Sequence, residues 1–364
     1  MIKFIFLQLK IYNFPIRNKK YNTKNLDLEL SLGYIIRLWI KNMKIHICNK
    51  TKIQEKRYIM KTISMSNGAV LASEISLGCM RIADLSEKEA ANLIQTALDE
   101  GINFFDHADI YAGGKSEELF AKAVNMNKID REKLIIQTKC GIRPGFFDFS
   151  KEHILEAVEG SLKRLNTDYI DVLLLHRPDT LVEPEEVAEA FDRLLSSGKV
   201  RNFGVSNQNP MQIELLSHYL NQKIIANQLQ LSITNTGMID AGLNVNMEID
   251  RSIVRDGSIL DYCRLKNITI QAWSPFQYGF FEGVFLNNDK FPELNQKIDE
   301  IAEAKGVTNS AIAVAWILRH PAKIQTIVGT TNATRLKDIC KASNVELTRQ
   351  EWYEIYRAAG NKLP

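Results

Sequence analysis

Residues 134–179 read LIIQTKCGIRPGFFDFSKEHILEAVEGSLKRLNTDYIDVLLLHRPD. Two short apolar, β-rich runs, Leu134–Lys139 and Tyr169–His176, flank an amphipathic helical pattern at Lys151–Leu165. Strand, helix, strand in that order predicts two parallel strands joined by a crossover. The unbroken apolar character of the second run fits a strand buried on both faces.

The unit repeats in both directions. Further strands are expected at Glu74–Gly78, Asn103–Asp106, Val200–Ser206, Ile224–Gln230, Ile268–Trp273 and Gln325–Gly329, eight in all. Helical patterns lie between them at Ala90–Glu100, Ser116–Asn127, Glu183–Ser197, Met211–Leu220, Ser258–Lys266, Leu294–Lys305 and, after the last strand, Ala333–Ala342. Ser86-x-x-Glu89 is a capping box that starts the first helix, and Gly101 stops it. Eight alternations without a linker predict an α/β fold, a (β/α)8 barrel. Lys61–Ser66 and Ala69–Ser73 read as an N-terminal β-hairpin turning on Asn67-Gly68. Extra C-terminal helices are expected at Asn309–Arg319 and after Thr348-x-x-Glu351. A doubly wound sheet is the alternative, but no G-x-G-x-x-G follows the first strand. The irregular stretches Ser232–Asp256 and Pro275–Phe291 follow strands and are expected to overhang the catalytic face.

The 364 residues carry a formal charge of +3, which combines two unlike parts. Residues 1–60 hold 13 Lys and Arg against 3 Asp and Glu, while the remaining chain holds 33 against 40. A mildly acidic body argues against a nucleic-acid partner. The head is rich in Ile, Asn and Lys, its apolar runs are too short to span a membrane, and no cleavage site follows them. It reads as translated AT-rich flanking sequence, poorly ordered, with the domain proper starting near Met60. Five widely spaced cysteines without a C-x-x-C pair or metal-ligand spacing predict a reduced, cytoplasmic protein without a metal.

Catalytic groups of such barrels sit at the carboxyl ends of the strands. Strand two ends in Asp106-His107-Ala108-Asp109-Ile110-Tyr111, strand three in Lys139-Cys140 and strand four in His176-Arg177-Pro178-Asp179. On these residues the chain resembles the aldo/keto reductases from about Lys61 to Gly360, and within them a bacterial oxidoreductase branch with the phrases F-D-H-A-D-I-Y and H-R-P-D. The resemblance implies a catalytic tetrad of Asp106, Tyr111, Lys139 and His176. Carbonyl reduction needs an acid for the developing alkoxide, and a free phenol at ~10 is a poor donor near neutral pH. Lys139 is expected to lower Tyr111, with Asp106 holding Lys139 charged and His176 polarising the carbonyl. His107, on the opposite face by strand alternation, reads as structural, and Cys140 has no evident base.

The resemblance also implies a nicotinamide cofactor, NADP(H) by preference with NAD(H) possible. Ser206, Asn207 and Gln228 match its carboxamide site, and Trp273 matches an aromatic stacked on the ring, beside Ser274. Gly329, Thr330, Thr331 and Arg335 match the segment for the adenosine end. There, backbone N–H groups at a helix start favour an anion, and Arg335 favours the phosphorylated cofactor. Gly329 stands where many NADPH-preferring members carry lysine, and Ile339 where asparagine is frequent. The expected partner is a small-molecule carbonyl substrate in a pocket rimmed by Met80, Trp273 and Phe276, with walls after strands one, six and seven. A monomer or weak oligomer is expected. The alternatives are a nucleotide-binding regulatory barrel without turnover and a Schiff-base lyase using Lys139.

Overall fold

The computed structural model describes residues 59–364. The expectation of a poorly ordered head falls on residues 1–58, outside the described ones, and Cys48 lies there too.

Eight parallel strands close into a barrel: β1 (Ile75–Gly78), β2 (Phe104–Asp106), β3 (Ile135–Cys140), β4 (Ile170–Leu175), β5 (Val200–Ser206), β6 (Ile224–Gln230), β7 (Thr269–Trp273) and β8 (Gln325–Val328). Each pairs with its sequence neighbours, and β8 closes on β1 through Thr326 opposite Ile75 and Val328 opposite Leu77. All eight predicted strands are present, with ends within a residue or two of the expected ones. At Gly204 in β5 a Cβ would lie 2.6 Å from Leu174 Cδ2 and 2.8 Å from the Ala226 carbonyl. Only glycine allows that close passage inside the barrel wall.

The helices follow the predicted patterns: α1 (Glu87–Asp99), α2 (Lys115–Ala123), α3 (Lys151–Leu165), α4 (Pro184–Ser196), α5 (Pro210–Tyr219), α6 (Ile259–Lys266), α7 (Pro292–Lys305), α8 (Asn309–Leu318), α9 (Ala333–Cys340) and α10 (Arg349–Ala358). Both capping boxes form, Ser86 with Glu89 and Thr348 with Glu351. A third, Asn209 with Gln212, starts α5. α2 ends at Ala123 rather than Asn127, because Asn125 adopts a positive φ of 53° and turns the chain. α8 buries every residue from Ser310 to Ile317 and packs against α7, α9 and β8.

The hairpin pairs Thr62–Met65 with Val70–Ser73. Its turn spans four residues instead of two, since Ser66, Asn67 and Gly68 all take positive φ. Ile63, Met65 and Ala72 pack on Phe104, Val172, Leu174, Ile225 and Ala226, which come from the even strands β2, β4 and β6. The hairpin therefore plugs the amino end of the barrel and leaves the carboxyl end open for chemistry. Two small hairpins were not expected: Ile142–Arg143 with Phe146–Phe147 after β3, and Gln277–Tyr278 with Gly283–Val284 after β7.

The segment after β6 leaves the carboxyl end of the strand, where Ser232 Oγ donates to the carbonyl of Gln277, a residue lining the catalytic cavity, at 2.7 Å. It holds a short helix, Gly237–Leu243, and is also tied to the C-terminal helix. Tyr356 donates to Asp240 Oδ1 at 2.6 Å, and Arg251 donates to Asp240 Oδ2 at 2.8 Å. A buried carboxylate needs such partners.

Candidate active site

The carboxyl ends of the strands open into a cavity of about 390 Å³. Asp106, Tyr111 and His176 line it, together with the rim residues Met80, Trp273 and Phe276. Lys139 is fully buried directly behind them. Asp106 closes β2, Lys139 lies in β3 and His176 follows β4, so three adjacent strands bring the predicted tetrad together. Tyr111 comes from a tight turn after β2 in which Ala112 and Gly113 both take positive φ.

An ammonium has three N–H donors, and each on Lys139 has an acceptor. Asp106 Oδ2 lies at 2.9 Å, the His107 carbonyl at 2.7 Å and the Tyr111 hydroxyl at 3.0 Å. Tyr111 accepts from Lys139, so its own O–H is left to donate into the cavity. Burial alone would pull Lys139 down, but Asp106 and Tyr111 outweigh it and hold the ammonium above its ordinary value. It is charged at any physiological pH. A charged amine is a poor Schiff-base nucleophile, which argues against the lyase alternative.

Tyr111 departs from expectation. Burial pushes the phenol above its ordinary value, and the opposing charge of Lys139 does not offset it. The phenol is therefore a protonated donor rather than a lowered, half-ionised one. His176 is held well below the ordinary imidazole value, by burial first and then by Lys139 and Arg177. It is neutral, its ring meets that of Tyr111 edge-on with centroids 5.9 Å apart, and its buried Nδ1 has no partner among the described residues. His107 is fully buried against the Phe120 ring, and burial drives it to about 3, in keeping with a structural role.

The other predicted residues divide. Ser206, Asn207, Gln228, Trp273, Ser274, Gly329, Thr330 and Arg335 line the same cavity. Thr331 does not; it is exposed, beyond the turn that Thr330 starts by accepting from Asn332 N–H. Asn207 is pinned from both sides, donating to Ser206 Oγ at 2.7 Å and accepting from Trp273 Nε1 at 3.2 Å. Gln228 donates to Asp106 Oδ1 at 2.9 Å. The Trp273 ring is stacked near Phe281, at 6.0 Å and 27°, with the Arg177 guanidinium 5.7 Å from its centroid.

At the opposite end, Arg81 donates from Nε to the Gly329 carbonyl at 3.2 Å, tying the loop after β1 to the loop after β8. A Cβ at Gly329 would lie 3.5 Å from Arg81 Nη2, so glycine keeps the space beside two arginines, Arg81 and Arg335, open. Polar amides at one end and open backbone with guanidinium groups at the other fit a nicotinamide nucleotide. Asn332 caps α9 by accepting from Arg335 N–H at 2.9 Å, which takes one of the backbone donors expected to face a phosphate.

Sequence reading missed Arg81, Arg177 and a set of glutamines beneath the tetrad. Gln137 and Gln271 were legible in principle, because each lies two residues before a site residue on the same strand and so shares its face.

A buried proton donor, a fixed cation beside it and a neutral imidazole around one mouth define an oxidoreductase that acts on carbonyl groups. The chain belongs to the aldo/keto reductase family, whose profile matches residues 74–359, and it is an NAD(P)H-dependent enzyme of that family. It is 38% identical over 293 residues to the oxidoreductase YcsN of Bacillus subtilis (strain 168), covering 77% of this chain and 91% of that protein. It is 33% identical to the 6-dehydroglucose reductase of Agrobacterium fabrum (strain C58), covering 83% and 99%. Among solved structures it matches the thermostable aldo-keto reductase Tm1743, determined with the inhibitor epalrestat, with a TM-score of 0.68 and 26% identity. That match covers 82% of this chain and all of Tm1743. Among the described residues, no helix is long and apolar enough to cross a membrane, and no cluster of side chains is arranged to hold a metal ion.

Proposed function

We propose that the enzyme reduces small aldehydes and ketones with Tyr111 as the general acid and His176 as the group that orients the carbonyl. The cofactor, when bound, supplies the hydride. Tyr111 hands its proton to the carbonyl oxygen, Lys139 stays charged beside the phenolate that is left, and Asp106 keeps Lys139 in place. Neutral His176 stabilises the oxygen as charge develops on it. The three-way hydrogen bonding of Lys139 carries this reading, because it leaves the Tyr111 proton facing the cavity.

Ser206, Asn207 and Gln228 are assigned to the carboxamide, Trp273 and Ser274 to the nicotinamide, and Gly329, Thr330 and Arg335 to the adenosine end. The arginine pair supports NADPH as the preferred cofactor. The catalytic unit is assigned to residues 61–364, acting in the cytoplasm. A spectrophotometric screen of NADPH and NADH consumption against a carbonyl panel tests the reading. Turnover with NADPH is expected, and retained cofactor without reduction of any carbonyl would favour the regulatory alternative.

Arg177 narrows the substrate. It is half-buried at the mouth beside His176, between the rings of Trp273 and Phe280, and no carboxylate among the described residues pairs with it. A desolvated guanidinium facing a cavity favours an oxygen-rich substituent, and two relatives at 33% and 35% identity are named 6-dehydroglucose reductases. A polyhydroxylated aldehyde is therefore the proposed class. Arg177→Met should lower kcat/KM for hydroxylated aldehydes by about tenfold, roughly one lost charged hydrogen bond, and spare alkyl aldehydes. Equal loss on both would contradict it.

A further inference from the structure

Beneath the tetrad the barrel interior is not aliphatic. Gln137 from β3, Gln228 from β6, Gln271 from β7 and Gln325 from β8 form a buried polar ladder there. Gln137 Nε2 donates to Asp106 Oδ1 at 2.6 Å and also lies 3.0 Å from Gln271 Oε1. Gln271 donates on to Gln325 Oε1 at 2.8 Å, and Gln325 donates to the Ser73 carbonyl in the plugging hairpin at 2.8 Å. One hydrogen-bonded line thus runs from the floor of the barrel to the catalytic carboxylate. Buried amides in such numbers are costly unless satisfied; each amide of the ladder donates, while the buried Gln137 Oε1 has no partner among the described residues.

We infer that Gln137 is a positioning residue of the reaction: it holds Asp106 by Oδ1, so that Oδ2 remains on Lys139 whether or not Gln228 also donates. Asp106 Oδ1 has two amide donors, and they differ in kind. Gln228 lines the cavity and is reachable by a ligand, whereas Gln137 is fully buried and does not line the cavity; both also donate to Gln271 Oε1, Gln137 at 3.0 Å and Gln228 at a longer 3.4 Å. When a ligand draws Gln228 away, Gln137 is the donor that stays. Without it, the carboxylate carries a less dispersed charge, neutralises Lys139 more completely and opposes ionisation of Tyr111. The Gln137 effect therefore reaches the reaction through Asp106 and Lys139, and it rests on the proton-donor role proposed for Tyr111.

The test is Gln137→Met, which keeps shape and removes the donor, compared with Gln137→Leu, which removes the donor with a different shape. The core truncation Ile154→Val serves as a control that costs stability away from the site. Two readouts are followed: the pH profile of kcat for alcohol oxidation, and the Tyr111 phenolate titration, taken as the ultraviolet difference between each protein and its own Tyr111→Phe partner. Gln137→Met is expected to move both midpoints upward by about half a pH unit or more and to lower kcat about tenfold with KM for NAD(P)H nearly unchanged. Ile154→Val should lower Tm and move neither midpoint. A Gln137→Met enzyme with lowered Tm but unshifted midpoints would overturn the proposal, leaving Gln137 a packing residue. A Gln137→Met variant that does not fold passes the test to Gln137→Leu, where unshifted midpoints have the same meaning. The phenolate titration needs no turnover. A shifted titration in a protein that reduces no carbonyl would therefore uphold the Gln137 linkage while refuting the catalytic reading.

Discussion

Lys139 sits at the centre of the proposed chemistry, and its surroundings leave it no freedom. It is fully buried, its ion pair with Asp106 is almost wholly shielded from solvent, and all three of its donors are engaged. The arrangement sets the pH behaviour of the reaction. Burial raises the Tyr111 phenol, so it remains protonated through neutral pH and ionises only in alkaline solution. Reduction needs the protonated phenol, which is present below its pKa. Its kcat should be flat near neutrality and fall as pH rises into the alkaline range. Oxidation of the alcohol needs the phenolate and should rise through that same range. Rate profiles in both directions check this, and a reduction rate that falls between pH 6 and 8 would contradict it. The residues of the tetrad were legible because each stands at a strand end in a distinct phrase. The direction of the Tyr111 shift was not, because it depends on how deeply the phenol is buried, and no spacing encodes that.

Among the elements, the barrel strands and their helices follow from period and punctuation, with Ser86, Thr348 and Gly101 marking ends that the structure reproduces. The loops were harder. The segment after β6 has no periodic pattern, and its position depends on Asp240 meeting Tyr356 and Arg251, residues 116 and 11 positions away. The C-terminal helix α10 is fixed likewise by long-range contacts. Trp352 stacks on Trp316 of α8 at 4.6 Å and 8°, and each indole N–H donates to the other residue's carbonyl, at 3.0 and 2.9 Å. Removing this ring should leave both a cavity and a buried Trp316 carbonyl without its indole donor. Trp352→Ala is expected to cost about 3–5 kcal/mol in chemical denaturation, with kcat per folded molecule preserved because the pair lies outside the cavity. A loss below about 1 kcal/mol would mean that α10 is held elsewhere.

At the scale of the whole molecule, charge is unevenly placed along the chain. The basic surplus of residues 1–60 has no counterpart in the acidic remainder, and within that remainder the cations that serve the site act locally. Lys139 acts on a phenol, and Arg81, Arg177 and Arg335 face one cavity. A protein begun at Met60 should match the full chain in kcat/KM, and a large loss would give the head a catalytic role. The barrel itself was legible from eight alternations, whereas its polar interior was only partly so: Gln137 and Gln271 share a strand face with site residues, but how the glutamines bond to one another depends on contacts between strands distant in sequence. The account stands most directly on one measurement: turnover and NADPH binding in Tyr111→Phe, which deletes only the oxygen that Lys139 holds and the proton it presents. Loss of the general acid should lower kcat by about 10²–10⁴-fold, with the dissociation constant for NADPH little changed. Turnover at the wild-type rate would contradict the assignment of Tyr111 and with it the mechanism.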